Sequence, residues 1–147
     1  MNTIGIESLS FLIGIWNTEG EVIQSSDRKK ERIGGTDTYE WVLNNKFILH
    51  RVSVMMGDVQ IEVIELIGYD ASAQNYTLQS FDNTGTITTM HGVVKSDGIL
   101  EIKDNKTRST LRAAKDGNSM IAVWEIADDD DNWVGWMNLS FRKVNFD

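Results

Sequence analysis

Residues 11–22 read FLIGIWNTEGEV, and the Gly14-x-Trp16 step inside them, with Gly20 four residues on, decides the fold. A glycine two residues before a tryptophan on a first strand has a physical use. The glycine lets a neighbour come close, and the indole is large enough to plug one end of a barrel. From Ile13 onward the chain reads as strand and turn, with no second helix. Residues 3–12 form the only helix candidate, one or two turns that could lid the end sealed by Trp16.

Working outward, the sequence predicts ten strands: 13–24, 35–43, 47–55, 59–69, 75–81, 86–95, 99–103, 107–114, 119–127 and 133–144. The breaks carry turn chemistry: Asn44-Asn45-Lys46, Gly57-Asp58, residues 70–74, Asp82-Asn83-Thr84-Gly85, Ser96-Asp97-Gly98, Asp104-Asn105-Lys106, Asp116-Gly117-Asn118 and the acidic run 128–132. Asn, Asp and Gly tolerate the positive φ that tight hairpins need. The charged segment 25–31 reads as a loop. Proline is absent altogether, which removes one strand breaker. Short connections throughout imply up-and-down antiparallel pairing, and closure removes the two edges an open sheet would expose. The expectation is an all-β protein, a closed antiparallel up-and-down barrel of about ten strands in one domain spanning 1–147.

Composition bounds the function. A hydrophobic share of 41% with 24% charged residues is that of an ordinary soluble domain, and no apolar run approaches a membrane span. The opening MNTIGIESLS has neither a basic segment nor a long apolar one, so the expectation is no secretory leader and a cytoplasmic location. With no cysteine there is no disulfide, thiolate nucleophile or Cys-based metal site. The net charge of −8 repels phosphate backbones, which argues against a nucleic-acid partner. No glycine-rich loop lies between a strand and a helix, and no Gly-x-Ser-x-Gly elbow occurs, so neither phosphate cradling nor serine catalysis is indicated.

These residues resemble a known family. Gly14-x-Trp16 is similar to the opening motif of the calycin barrels, which include lipocalins and fatty-acid-binding proteins. In those families an arginine near the end of the last strand packs on the tryptophan, and the resemblance assigns that role to Arg142. The segment Gly14 to Gly20 also resembles the start of the ten-stranded nitrobindins. The nearest resemblance is to the bacterial domain of unknown function 1579, DUF1579. It implies the Gly-x-Trp opening, a Gly68-Tyr69-Asp70 turn after the fourth strand, and a last-strand tryptophan before a basic terminus. Nitrobindins ligate haem iron through a histidine near their C-terminal strands. No histidine follows His91 here, so that role has no residue to land on, and no cofactor is expected.

Candidate site residues come from side chains that period two turns inward. His50 lies among Ile48, Val52 and Val54, and His91 in phase with Ile87, Thr89 and Val93. Two imidazoles facing one cavity could bind a carboxylate or a metal, or act as acid and base. Equally, each could simply bond a polar neighbour. Tyr39, Trp41, Phe81, Trp124 and Trp136, with Met55, Met90 and Met137, suit either a pocket for a flat apolar ligand or a packed core. Glu40, Arg51, Glu62 and Glu65 interrupt apolar strands. Arg51 reads as the best inward candidate, and Glu40 and Glu62 as solvent-facing. The acids 128–131 lack a cation-loop spacing and read as a solvated hairpin tip.

The leading expectation is a non-enzymatic barrel binding a small hydrophobic or aromatic molecule through Tyr39, Trp41, His50, Phe81, His91 and Trp124. An enzyme using His50 and His91 as acid and base is the alternative, and a structural or partner-binding domain a third. Strands three and four read apolar on both faces in places, which predicts a homodimer covering that surface.

Overall fold

The computed structural model describes residues 4–23 and 30–145. Part of the segment read as a loop, residues 25–29, lies outside them. A 3₁₀ helix, Ile6–Leu12, leads into ten strands. They are β1 (Gly14–Val22), β2 (Arg32–Val42), β3 (Phe47–Met56), β4 (Val59–Asp70), β5 (Asn75–Asp82), β6 (Ile87–Ser96), β7 (Ile99–Lys103), β8 (Thr107–Ala113), β9 (Ser119–Ala127) and β10 (Trp133–Lys143). Each pairs antiparallel with the next, and β1 pairs with β10, so the sheet is a closed up-and-down barrel. No helix among the described residues is long and apolar enough to cross a membrane.

Connections alternate between the two ends. The base holds the 3₁₀ helix and the turns after β2, β4, β6 and β8. The mouth holds those after β3, β5, β7 and β9. The largest fully buried side chains gather at the base: Leu9, Leu12, Trp16, Ile48, Ile67, Tyr76 and Met120. Trp16 is fully buried, and its Nε1–H donates to the Leu12 carbonyl oxygen at 2.8 Å. The Tyr76 hydroxyl donates to the Gly5 carbonyl oxygen at 2.7 Å. Two aromatic side chains thus hold the helix across the barrel floor while satisfying their own polar atoms.

The seal differs from the expected one in its cation. Trp16 is opposite Lys143 in the β1–β10 register, and Arg142 is opposite Asn17. Since side chains alternate faces, Arg142 stands exposed outside, and Lys143 comes over the indole with Nζ 5.4 Å from the ring centroid. Gly14 makes this possible. It adopts φ +142°, and a Cβ there would sit 2.7 Å from Lys143 Cε. The glycine leaves a slot for the lysine stem.

Higher in the same seam, Gly20 brings β1 against β10. A Cβ at Gly20 would meet the Asn138 carbonyl oxygen at 2.1 Å and Leu139 Cδ2 at 2.7 Å. Closure therefore depends on a residue with no side chain at this crossing.

Candidate functional site

Above the plug, four strands place polar side chains in contact. Thr18 on β1 and Asp37 on β2 are both buried, and the threonine hydroxyl donates to Asp37 Oδ1 at 2.5 Å. The other oxygen, Asp37 Oδ2, lies 2.6 Å from His50 Nε2 on β3. His50 Nδ1 lies 2.9 Å from Glu65 Oε1 on β4. Tyr39, directly opposite His50, stacks on the imidazole with ring centroids 3.9 Å apart and planes 8° from parallel. Glu65 is likewise the direct cross-strand partner of His50, so register alone delivers the cluster.

Both imidazole nitrogens face carboxylate oxygens, and both donate when the ring is protonated. Burial works against that charge, but the hydrogen bonds to Asp37 and then Glu65 outweigh it and raise the His50 pKa to about 9. At neutral pH the group is an imidazolium between two carboxylates. Burial first, and then the charges of Asp37 and Glu65, push the Tyr39 phenol well above its usual range, so it stays protonated. His50 has no lone pair to offer a metal and no free N–H to offer a ligand carboxylate. Among the described residues no group of His, Cys, Asp or Glu is arranged to hold a metal ion.

Glu65 reaches the cluster with one oxygen only. Its Oε2 takes no hydrogen bond among the described residues, and the side chain keeps 14% exposure inside the barrel. Further inward-facing positions are also only part-buried, including Val52, Val63, Ser80, Thr88, Trp124 and Met137. These part-buried side chains point between the walls in the upper half of the barrel, above the packed floor. The far wall carries Trp124 on β9, five strands from Glu65 in either direction. Trp124 meets Trp136 edge to face at 6.0 Å, and Met137 is its cross-strand neighbour beside the register shift between Gly135 and Met137.

The other expected site residues divide. His50 and Tyr39 lie in the cluster, and Trp41 packs against the base core. His91 and Phe81 stand on the outside: His91 is exposed and Phe81 retains 44% exposure. On β6 the inward set is Thr88, Met90, Gly92 and Val94, while Ile87, at 63% exposure, and Val93 point out with His91. Apolar residues on both faces of β6 hid its true phase, and no acid–base pair of His50 with His91 exists. Arg51 is exposed, as are Glu40, Glu62 and Met55, so the inward member of the charged set is Glu65.

Asp37 was absent from the sequence reading, although period two places it with Ile33, Tyr39 and Trp41. An acid in phase with apolar residues, across from a histidine, was the available signal.

Outside the wall, a depression of about 400 Å³ crosses β3, β4 and β5. Arg51, Ile64 and Phe81 lie along one side of Val63, and Ser53, Glu62 and Asn83 along the other.

The fold is shared by solved structures of low sequence identity. Rv2717c from M. tuberculosis superposes with a TM-score of 0.74 at 8% identity, covering 99% of this chain and 100% of its own. The S-type phycobiliprotein lyase CPES from Guillardia theta gives 0.67 at 11% identity, covering 98% and 94%. A DUF3598 family protein of unknown function from Nostoc punctiforme PCC 73102 gives 0.62 at 10%, covering 98% of this chain and 51% of that one. Comparison with curated proteins finds no match. The model of a protein family of unknown function, DUF1579, matches residues 6–143, from the 3₁₀ helix through Lys143 beneath the plug, and the chain belongs to that family.

Proposed function

We propose that this barrel is a non-enzymatic carrier or sensor that takes a small hydrophobic or aromatic molecule into a cup above its polar floor. One observation carries the reading: Trp124, Met137, Ser80 and Thr88 point between the walls and are nevertheless only part-buried. A ten-stranded barrel leaves interior space, and an indole beside a methionine suits a flat apolar guest. A neighbour of the same fold being a phycobiliprotein lyase fits a barrel that takes a ligand. Acid–base catalysis by the two histidines finds no support, since both nitrogens of His50 are engaged and His91 lies on the other side of the wall.

Native mass spectrometry of protein purified from a cell extract tests the reading, together with titration by the neutral dye N-phenyl-1-naphthylamine. A bound small-molecule mass, or dye fluorescence that rises on binding and is lost in Trp124→Ala, is the expected result. Protein that carries no ligand and leaves the dye dark overturns it.

A further inference from the structure

We infer that the ligand carries a cationic N–H group, an aromatic or apolar primary amine, with its ammonium on Glu65 Oε2 and its apolar body toward the Trp124 wall. The inference rests on the proposed cup and adds to it the chemical class of its occupant.

The first ground is the charge and valence of the floor. Two carboxylates and one imidazolium leave the Asp37–His50–Glu65 cluster with a net charge of −1. Apart from the Tyr39 phenol, every donor in it is spent: Thr18 on Asp37 Oδ1, and the two imidazole N–H groups on Asp37 Oδ2 and Glu65 Oε1. What the floor still offers to an incoming group is an acceptor, Glu65 Oε2, which is solvent-reachable and takes no hydrogen bond among the described residues. An acid head group would meet like charge and, besides the Tyr39 phenol, no donor. An ammonium would supply the missing proton and the missing positive charge, in a partly desolvated setting where a charge-assisted bond is strong.

The second ground is independent and lies at the mouth. Its described turns and strand ends carry Glu31, Asp58, Asp82, Asp104 and the four acids at 128–131, against four bases, Lys30, Arg32, Lys103 and Lys106. The turns of the base are nearly balanced, with Lys46 and Lys115 beside Asp70, Asp97 and Asp116. The acidity of the chain is therefore concentrated where a ligand enters. A net excess of one sign around a low-dielectric cavity raises the local concentration of the opposite ion and speeds its capture.

Three probes with the same aromatic body test this: 1-naphthylmethylamine, 1-naphthylmethanol and 1-naphthoic acid, titrated at neutral pH by naphthalene and tryptophan fluorescence. The expected order is amine, then alcohol, then acid, with about a tenfold or larger step from alcohol to amine. Glu65→Gln, checked for its melting temperature, should remove most of that step and leave alcohol binding in place. Raising ionic strength should slow association of the amine and not that of the alcohol. If the alcohol or the acid binds the wild-type protein as well as the amine does, the cup stands and the cationic assignment falls. If none of the three binds, the binding reading falls and the assignment with it. The wild-type ranking needs no variant, so a misfolded Glu65→Gln does not protect the inference.

Discussion

At the scale of single residues, His50 sets how stability responds to pH. Its pKa rises from 6.5 to about 9 on folding, because the hydrogen bonds to Asp37 and Glu65 overcome the cost of burial. The folded state binds this proton more tightly than the unfolded chain does. The stabilisation is therefore fully present below about pH 6.5 and is lost as pH rises through 9, an effect on the order of 3 kcal/mol. Denaturant melts at pH 6.5, 8 and 9.5 should show that decline, and His50→Gln should flatten it. A wild-type profile flat across this window would mean that the imidazolium clamp does not form.

The base makes a second set of residue-scale predictions. Trp16→Ala should cost about 3–5 kcal/mol, since a fully buried indole leaves a cavity. Lys143→Ala should cost roughly 0.5–2 kcal/mol through loss of the cation over the ring. Arg142→Ala, on the exposed face, should fall within about 0.5 kcal/mol of wild type. Melting all three variants by urea separates the register in the structure from the one-residue alternative, which would reverse the last two.

Elements were legible where turn chemistry marks their ends. Asn, Asp and Gly punctuate the chain, and most strand limits fall within a residue or two of the expected ones. β2 is the exception, beginning at Arg32, three residues before the expected Gly35, because the glycine pair at 34–35 reads as a break and is in fact ladder. Faces were legible only where apolar residues favour one parity. β3 meets that condition and His50 was placed correctly. β6 does not, since Ile87 and Val93 project to solvent from the wrong parity, and His91 was misplaced with them. The cluster around His50 is half visible in the sequence: Glu65 is noted without its direction, and Asp37, inside the expected strand 35–43, is not singled out. Cross-strand register, which decides whether Asp37 and Glu65 reach one imidazole, depends on every hairpin length at once. At the β1–β10 seam, Gly20→Ala should cost at least about 1–3 kcal/mol, because the Asn138 carbonyl oxygen occupying that space belongs to the backbone. Calorimetric melting reads this directly.

On the scale of the whole molecule, the outer wall carries a row in direct register, Ile64 on β4, Phe81 on β5 and Ile87 on β6. All three are exposed, at 47%, 44% and 63%, beside the depression that holds Arg51 and Glu62. A second copy related by a two-fold axis can bury this row and set Arg51 of each copy against Glu62 of the other. Light scattering over a concentration series should then show a dimer, and Phe81→Glu should leave a monomer. A wild-type protein that is monomeric throughout refutes the pairing.

Closure also shapes the order in which the barrel is made. Nine of its ten strand pairings join neighbours in sequence and can zip locally. The tenth joins Trp16 to Lys143, across nearly the whole chain. Its loop-closure entropy is the largest, so it forms after the hairpins it completes. Weakening that seam should leave the folding rate nearly unchanged and accelerate unfolding. In a chevron plot of Gly20→Ala, the refolding arm should overlay wild type while the unfolding arm shifts upward. The barrel then behaves as a curled sheet held shut by one late latch, whose release rate sets its lifetime.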